Sequence, residues 1–330
     1  MNQSSHEAVP VETVPDGVNG RGEANAHMTN VYDDFTKQAG TYGLTEYHNR
    51  WFASDRIPGF AAEPEALRTR TQEFPGELQL EAVPFQTSRD STLDHVKYFA
   101  QSTNYFDIPD HGSITFAADI DATTVGTDPD RQICPAPAED EPCKTVLEPQ
   151  QAAATFHVLN IHETGQLFDW FVGEGKAFCL TERLLAPLVH GVGLDEGYTQ
   201  IIETVDISPG MHTYAIRYRR NPSGADHAEW LLDGDSVARQ EKVGIPLDVQ
   251  HPGRFDDITW PSIGATGERL RDRMSTFNMA HGLFSLLDEF PFHPQYGDHF
   301  VSFPEDERLF GQGVTATFDN FEVTTETLGE

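Results

Sequence analysis

The sequence has few basic residues and no long apolar run. Its 22 lysine and arginine residues stand against 53 acidic ones, which gives a formal net charge of −31. An acidic surface repels phosphate backbones and anionic lipid headgroups, so the composition argues against nucleic-acid and membrane partners. No apolar stretch approaches the roughly 20 residues that are needed to span a bilayer.

The first 29 residues lack the features of a targeting segment. They are polar, include Pro10 and Pro15, and contain neither the basic start nor the apolar centre of a secretory signal. We therefore predict a disordered leader over residues 1–29 and a cytoplasmic location. All-β sandwiches reach about 200–250 residues as one unit, so we predict a single domain over residues 30–330.

Cysteine is also scarce, with three residues in the chain. Cys134 and Cys143 bracket an acidic, proline-containing loop and are close enough in sequence to form a small disulfide. Free thiols are the favoured interpretation for a cytoplasmic protein, and the disulfide remains the alternative. Cys179 lies in the apolar stretch KAFCL, which indicates a small core residue rather than a nucleophile.

The sequence is rich in short alternating segments that turn residues separate. Alternation of apolar and polar residues with a period of two is typical of strands, and few stretches have helical periodicity. Asp233-Gly234 predicts a tight hairpin, because both positions tolerate positive φ angles. Residues 269–290 combine helical and strand features, and their boundary is left open. The predicted strands are 66–74, 77–83, 94–101, 113–122, 152–161, 167–172, 177–181, 199–206, 211–219, 229–232, 236–240 and 314–323.

About a dozen strands with almost no helix predict an all-β fold in which two antiparallel sheets pack as a jelly-roll sandwich. Several segments also carry a family resemblance. VYDDF at 31–35, followed by Trp51, is similar to a first strand, and TFDNFEV at 317–323 is similar to the closing strand that pairs with it. HTYAIRYRR at 212–220 precedes EWLLDGDSV at 229–237. In this order the segments resemble the concanavalin A-like lectin and glucanase superfold, and within it the family 16 glycoside hydrolases.

The resemblance does not extend to the catalytic motif of that family. Family 16 enzymes carry Glu-x-Asp-x-x-Glu on one strand, and the strand in the corresponding place here reads LFDWFVGEGKAF over residues 167–178. Only Asp169 matches the central aspartate, and both glutamates are absent. A retaining glycosidase needs two carboxyl groups about 5–5.5 Å apart, so the departure argues against that chemistry.

Asp169 and His157 are the predicted catalytic residues, because the resemblance places them on adjacent strands of a ligand-binding face. An unpaired aspartate among apolar neighbours has a raised pKa, and histidine titrates near neutrality, so the two can divide acid and base roles. Only one of Asp169 and Trp170 can face the groove without a bulge. The alternative is structural: an aspartate bonded to the backbone or an arginine, and a hydrogen-bonded histidine in a half-buried strand.

Trp170, Tyr218 and Trp230 are the predicted substrate-binding residues, since aromatic rings stack on sugars or on flat ligands. The alternative is packing between the sheets, and it applies equally to Trp51, Tyr214 and Trp260.

No cofactor is predicted apart from the option of a structural calcium ion. Asp33, Asp34 and Asp319 lie near the joined ends of the chain and carry the oxygen ligands that calcium prefers. Turn and cap bonding by these carboxylates is the alternative.

Three functions are compatible with this sequence. The first is an enzyme of secondary metabolism that binds a small, largely apolar molecule in a groove of the scaffold and guides an isomerisation or cyclisation by proton transfer. The second is a non-catalytic module that binds a carbohydrate or another ligand. The third is a divergent glycoside hydrolase. Each implies a small-molecule partner, apolar or saccharide.

Overall fold

The computed structural model describes residues 26–36, 42–54, 63, 76–89, 93–134, 143–184, 192–193, 196–254, 266–287 and 303–328. The predicted strand at 66–74, the aromatic residue Trp260 and residues 1–25 of the predicted leader lie outside these ranges. Among the helices of the described ranges, none has the length and apolar character that crossing a membrane requires.

Two antiparallel sheets contain most of the strands. The seven-stranded sheet has the order β1 (Ala26–Asp33), β17 (Gly313–Thr327), β6 (Gly112–Val125), β13 (His212–Arg220), β14 (Asp226–Leu232) and β15 (Asp235–Glu241), with β3 (Leu78–Ala82) paired to β17. The eight-stranded sheet has the order β12 (Tyr198–Asp206), β11 (Lys176–Arg183), β10 (Gln166–Val172), β9 (Ala153–Asn160), β16 (Thr276–Phe284), β4 (Val96–Ser102) and β2 (Trp51–Ala53), with β5 (Phe106–Asp107) paired to β16.

The remaining elements are short. Strands β7 (Gln132–Ile133) and β8 (Lys144–Thr145) pair with each other. The helices are α1 (Leu44–Arg50), α2 (Glu148–Gln151), α3 (Leu247–Gln250) and α4 (Glu305–Arg308). The predicted all-β sandwich of two antiparallel sheets is confirmed.

The predicted pairing of residues 31–35 with residues 317–323 is confirmed as well. Strand β1 runs antiparallel to β17, with Val31 opposite Glu322 and Asp33 opposite Phe321. One boundary was wrong: β1 begins at Ala26, so residues 26–29 belong to the sheet rather than to the leader. The first six residues of β1 are exposed because the strand lies at the edge of the sheet, and an exposed edge strand lacks the apolar alternation that identifies buried ones.

The main core lies between the two sheets. Phe156, Phe168 and Trp170 project into it from the eight-stranded sheet, and Tyr218 and Trp230 project from the seven-stranded sheet. Indole groups join the two sheets directly: Trp170 Nε1 donates to the carbonyl oxygen of Ala215 (3.1 Å), and Trp230 Nε1 donates to that of Asp169 (2.9 Å). These bonds fix the sheets relative to each other, because a buried N–H without a partner is costly.

A buried aspartate connects the end of β1 to the adjacent helix and strand. Asp33 Oδ2 accepts hydrogen bonds from Trp51 Nε1 (2.8 Å) and from the hydroxyl of Tyr42 (2.5 Å), and Oδ1 accepts one from the backbone N–H of Phe35 (3.1 Å). Burial raises the pKa of Asp33, and the hydrogen bonds from Tyr42 and Trp51 counteract part of that increase. One side chain therefore holds three donors in place.

The structure also decides the state of the cysteines. Cys134 and Cys143 are joined by a disulfide, so the interpretation as free thiols was wrong and the alternative holds. Neither residue type nor spacing could decide between the two, since the pairing depends on how the intervening loop folds. Cys179 is buried in the main core, as predicted.

The Asp233-Gly234 hairpin between β14 and β15 is confirmed, with φ angles of +51° and +89° at its two central residues. His212 binds to this hairpin and to Ser208, and we call this arrangement the His212 clasp. His212 Nδ1 donates to Asp233 Oδ2 (2.7 Å), while His212 Nε2 lies 3.0 Å from the carbonyl oxygen of Ser208. The hydrogen bond to Asp233 raises the pKa of His212 above its ordinary value.

The His212 clasp predicts a pH dependence of the stability of the folded protein. Because the folded pKa of His212 is raised, its stabilising effect is complete below about pH 6.5 and is lost as the pH rises through the folded pKa. Asp233→Asn keeps a residue that tolerates positive φ and removes the charge, so the pKa of His212 is expected to fall back towards its ordinary value. An NMR titration of the His212 ring measures this, with the exposed Asp235→Asn as the control. Identical titration curves in both variants would contradict the clasp.

Candidate functional site

The central strands β9, β10 and β11 of the eight-stranded sheet are buried on both faces. The inner face of this sheet packs on the seven-stranded sheet, and we call the opposite one the outer face. Residues on a strand alternate between faces, so Asp169 lies on the outer face while its neighbours Phe168 and Trp170 lie on the inner one. His157 stands directly opposite Asp169 on β9 and shares that face.

His157 and Asp169 form a hydrogen-bonded pair, and their catalytic roles stay a prediction. The distance from His157 Nδ1 to Asp169 Oδ1 is 2.6 Å, and that from His157 Nε2 to Thr155 Oγ1 is 2.7 Å. Both ring nitrogens are therefore engaged. The second carboxyl oxygen of Asp169, Oδ2, is buried and has no hydrogen-bond partner within the described part of the chain.

Apolar residues surround the pair. The imidazole ring of His157 lies 5.0 Å from the ring of Phe284, 5.7 Å from that of Phe99 and 6.0 Å from that of Phe171. Phe171 and Phe284 belong to a buried cluster with these further members: Val96, Ala153, Phe178, Leu180 and Leu286. His157 is 2% exposed and Asp169 is 0% exposed, so bulk water does not solvate either group.

Burial determines the protonation of the pair. It raises the pKa of Asp169 well above its usual range, and it lowers the pKa of His157 to about 3, with a smaller contribution from nearby His95. Both shifts favour neutral groups, because an apolar environment penalises charge. Both shifts favour a protonated carboxyl that donates to His157 Nδ1 and an Nε2–H that donates to Thr155.

This protonation state predicts an unusual pH dependence of stability. Between about pH 4 and pH 6.5 the unfolded chain carries an ionised Asp169 and a protonated His157, which together hold as many protons as the folded neutral pair. The pair then contributes no slope. Above about pH 6.5 the unfolded histidine loses its proton, and over any pH interval in which folded Asp169 still keeps its own, stability falls by up to about 1.4 kcal/mol per pH unit.

Asp169→Asn is expected to change the sign of this dependence. The variant lacks the acidic proton, and its buried His157 stays neutral while the unfolded histidine protonates below about pH 6.5, so its stability falls as the pH decreases. Urea unfolding of both proteins across this range measures the difference. Parallel stability curves would show that the pair is not neutral in the folded state.

The structure corrects the predicted substrate-binding residues. Trp170, Tyr218 and Trp230 lie in the core between the sheets, on the side of β10 opposite to the Asp169 carboxyl group. Each is at most 1% exposed. The alternative of packing between the sheets therefore describes them, and Trp230 supports the site from behind through its bond to the Asp169 carbonyl oxygen. Trp51 and Tyr214 are core residues too.

A second carboxylate on the outer face was missed. Glu182 on β11 is 6% exposed and stands opposite Leu167, while Asp169 stands opposite Leu180. Glu182 and Asp169 are therefore diagonal neighbours across two adjacent strands, a relation that corresponds to a spacing of about 7–8 Å. The alternation Phe178, Leu180, Glu182 could have revealed this position, once the turn between β10 and β11 fixed their register.

The described residues contain no group of three His, Cys, Asp or Glu side chains that could hold a metal ion. Asp33 bonds Trp51 and Tyr42, Asp34 Oδ1 accepts from the backbone and hydroxyl of Thr36, and Asp319 Oδ1 accepts from the N–H of Asn320. Each of these carboxylates therefore has protein donors, and the structural calcium ion stays an untested prediction.

The two stacked antiparallel sheets define a jelly-roll sandwich of the concanavalin A-like type. Within it, the chain belongs to the family of unknown function DUF6081, whose model matches residues 32–327. No curated protein matches the sequence.

Solved structures of similar fold include several polysaccharide-degrading enzymes. The endo-1,3-β-glucanase from Streptomyces sioyaensis is 13% identical, with 95% of this chain and 100% of that chain covered and a TM-score of 0.43. The β-agarase B from Zobellia galactanivorans is 12% identical, with 93% and 96% covered and a TM-score of 0.48. The β-glucanase from Bacillus licheniformis is 10% identical, with 94% and 100% covered and a TM-score of 0.36. These similarities concern the fold alone.

Proposed function

We propose that this protein is an enzyme that binds a small, largely apolar molecule on the outer face and moves a proton to or from it through Asp169 and His157. The observation that carries the proposal is the buried Asp169 Oδ2, which has no partner within the described residues although the other oxygen is hydrogen-bonded to His157. A buried carboxyl oxygen without a partner is costly, and active sites are where such costs are retained.

Asp169 is the group that would contact the ligand. Asp169 and Thr155 engage both nitrogens of His157, whereas Asp169 Oδ2 has no hydrogen-bond partner among the described residues. His157 is accordingly a positioning residue that also stores the proton. When Oδ2 takes a proton from the ligand, the Oδ1 proton passes to His157 Nδ1, so the step forms a ligand anion and an imidazolium with no change in total charge.

Return of the proton to another atom of the ligand would complete an isomerisation, and attack by the ligand anion on a second centre would complete a cyclisation. Proton abstraction beside a carbonyl group fits this arrangement, because burial raises the pKa of Asp169 well above its usual range and so makes its carboxylate a stronger base. The aromatic and aliphatic surroundings favour a ligand that needs little hydration, and they exclude water from the charged intermediate.

The test is proton exchange with solvent. We would incubate the protein in D2O with a panel of apolar ketones and 1,3-dicarbonyl compounds and follow deuterium incorporation by ¹H NMR, while recording the ¹⁵N shifts of the His157 ring. The proposal expects protein-dependent exchange for at least one compound, together with a shift of the His157 resonances. A panel that produces neither exchange nor any His157 shift would refute it.

A second candidate is glycoside hydrolysis, favoured by the position of Glu182. Inverting glycosidases use two carboxyl groups about 6.5–9.5 Å apart, and the spacing of about 7–8 Å between diagonal neighbours on adjacent strands is compatible with such a separation. Release of reducing ends from β-1,3-glucan, agarose or alginate, and its loss in Glu182→Gln, would establish this function in place of proton transfer. Binding of these saccharides without cleavage would instead indicate the non-catalytic module.

The cytoplasmic location stays a prediction. Disulfides such as that between Cys134 and Cys143 are more common in oxidising compartments, so this bond argues for an oxidising compartment rather than the cytoplasm.

A further inference from the structure

A cleft of about 610 Å³ lies at one end of the sandwich, apart from the residues of the His157–Asp169 site. Three segments line it: the loop that follows β5, the end of β13 and the segment that precedes β16. Its charged and titratable side chains are Asp107, Asp110, His111, Arg220, Arg271 and Asp272.

The guanidinium of Arg220 is buried but only partly satisfied. Its Nη2 donates to the carbonyl oxygens of Arg271 (2.7 Å) and Met274, which holds the group in place. Its Nη1 lies 4.0 Å from a carboxyl oxygen of Asp110, whose side chain is 98% exposed. Its Nε is buried and has no hydrogen-bond partner within the described ranges.

Two further side-chain nitrogens of the cleft also lack a hydrogen-bond partner within the described residues. Arg271 Nε and His111 Nδ1 are buried, and neither has a partner among the residues that the structure describes. Arg271 donates through Nη1 to Asp272 (2.7 Å) and through Nη2 to the carbonyl oxygen of Asn221 (3.4 Å), so that within the described ranges Nε alone of these nitrogens has no acceptor. Three buried nitrogens in one cleft therefore need a ligand atom, and at least the two of arginine need an acceptor.

We propose that this cleft binds a small molecule through a carboxylate group held by Arg220 and Arg271. Arginine pairs with carboxylates through charge-assisted hydrogen bonds, which are about twice as strong as neutral ones. The three aspartates around the cleft, with a net protein charge of −31, oppose a doubly charged phosphate more than a singly charged carboxylate. The same aspartates favour a ligand that carries an ammonium group at its other end, so an ω-amino acid is the preferred class.

The test uses 4-aminobutyrate as the probe, with acetate and inorganic phosphate for comparison, and isothermal titration calorimetry on the full chain. We expect 4-aminobutyrate to bind more tightly than acetate, and phosphate to bind more weakly than either. Arg271→Met, which keeps the aliphatic stem, is expected to weaken 4-aminobutyrate binding at least about tenfold, as the loss of one charge-assisted contact requires. Arg217→Met, on the same strand as Arg220 but outside the cleft, is the control and should bind as the parent does.

Arg220→Lys gives a second test, because it retains the positive charge and removes the guanidinium group, including Nε. It should bind 4-aminobutyrate more weakly while keeping the parent's melting temperature within a few degrees. Absence of binding by all three probes, or equal affinity in the parent and Arg271→Met, would overturn the proposal. Tighter binding of phosphate than of 4-aminobutyrate would overturn the choice of a carboxylate. Proton exchange at Asp169 is measured separately, so failure of either proposal leaves the other unaffected.

Discussion

Asp169→Asn is expected to lower ligand proton exchange by about 10²–10⁴-fold, the range for loss of a general acid–base group. The substitution keeps the shape of the side chain and a hydrogen-bonding contact with His157, so the fold should persist. Its effect comes from the amide, which cannot accept a proton at the position of Oδ2. Exchange rates of parent and variant, measured by ¹H NMR in D2O on the same compound, give the ratio directly.

The control for this experiment is Asp206→Asn. Asp206 lies on β12 in the same sheet, and its side chain is 84% exposed and pairs with Lys176. The Asp206→Asn variant should catalyse proton exchange of the ligand with solvent at the parent rate. A proton-exchange rate in Asp169→Asn equal to that of the control would remove Asp169 from the mechanism and leave the pair a structural role.

Asp33→Ala is expected to destabilise the protein by about 3–5 kcal/mol, since each buried donor left without an acceptor costs about 1–3 kcal/mol. The donors in question are Trp51 Nε1 and the hydroxyl of Tyr42, whose residues are 0% and 3% exposed. Denaturant unfolding of the parent and the variant measures the difference.

The neighbouring Asp34→Ala serves as the comparison. Asp34 Oδ1 accepts from Thr36 at the surface, so its loss is expected to cost less than about 1 kcal/mol. Asp33→Asn should fall between the two alanine variants, because the amide retains one acceptor oxygen. Equal stability of Asp33→Ala and Asp34→Ala would show that the buried carboxylate does not hold its donors.

Local patterns predicted much of the fold. Strands such as β6 and β13 alternate in sequence because one of their faces packs in the core, and period-two alternation records that directly. Strands β9 and β10 are buried on both faces, so alternation could not say which face each side chain takes. The partnership of His157 and Asp169 was still predictable, because the two strands are joined by a short turn and the residues lie at matching distances from it.

Other features depend on contacts that no local pattern records. The hydrogen bonds of Asp33 reach the helix α1 region and β2, and nothing near Asp33 in the sequence identifies Trp51 as a donor. The cleft around Arg220 joins segments near residues 107–111 and 271–275, each of which resembles an ordinary polar turn. The inward direction of Trp170 follows from the pairing of the two sheets, which alternation on one strand leaves undetermined.

The place of β17 in the seven-stranded sheet has a consequence for biosynthesis. This strand, residues 313–327, pairs with β1 on one side and β6 on the other, and β3 also attaches to it. Among the described strands, β1 and β3 pair only with β17. During translation they emerge from the ribosome long before β17 does, so their backbone hydrogen-bonding groups stay unpaired in the meantime. Pairings this distant in sequence slow folding, because the long intervening loop must close first. We therefore expect the nascent chain to depend on protection by chaperones until its last strand is released.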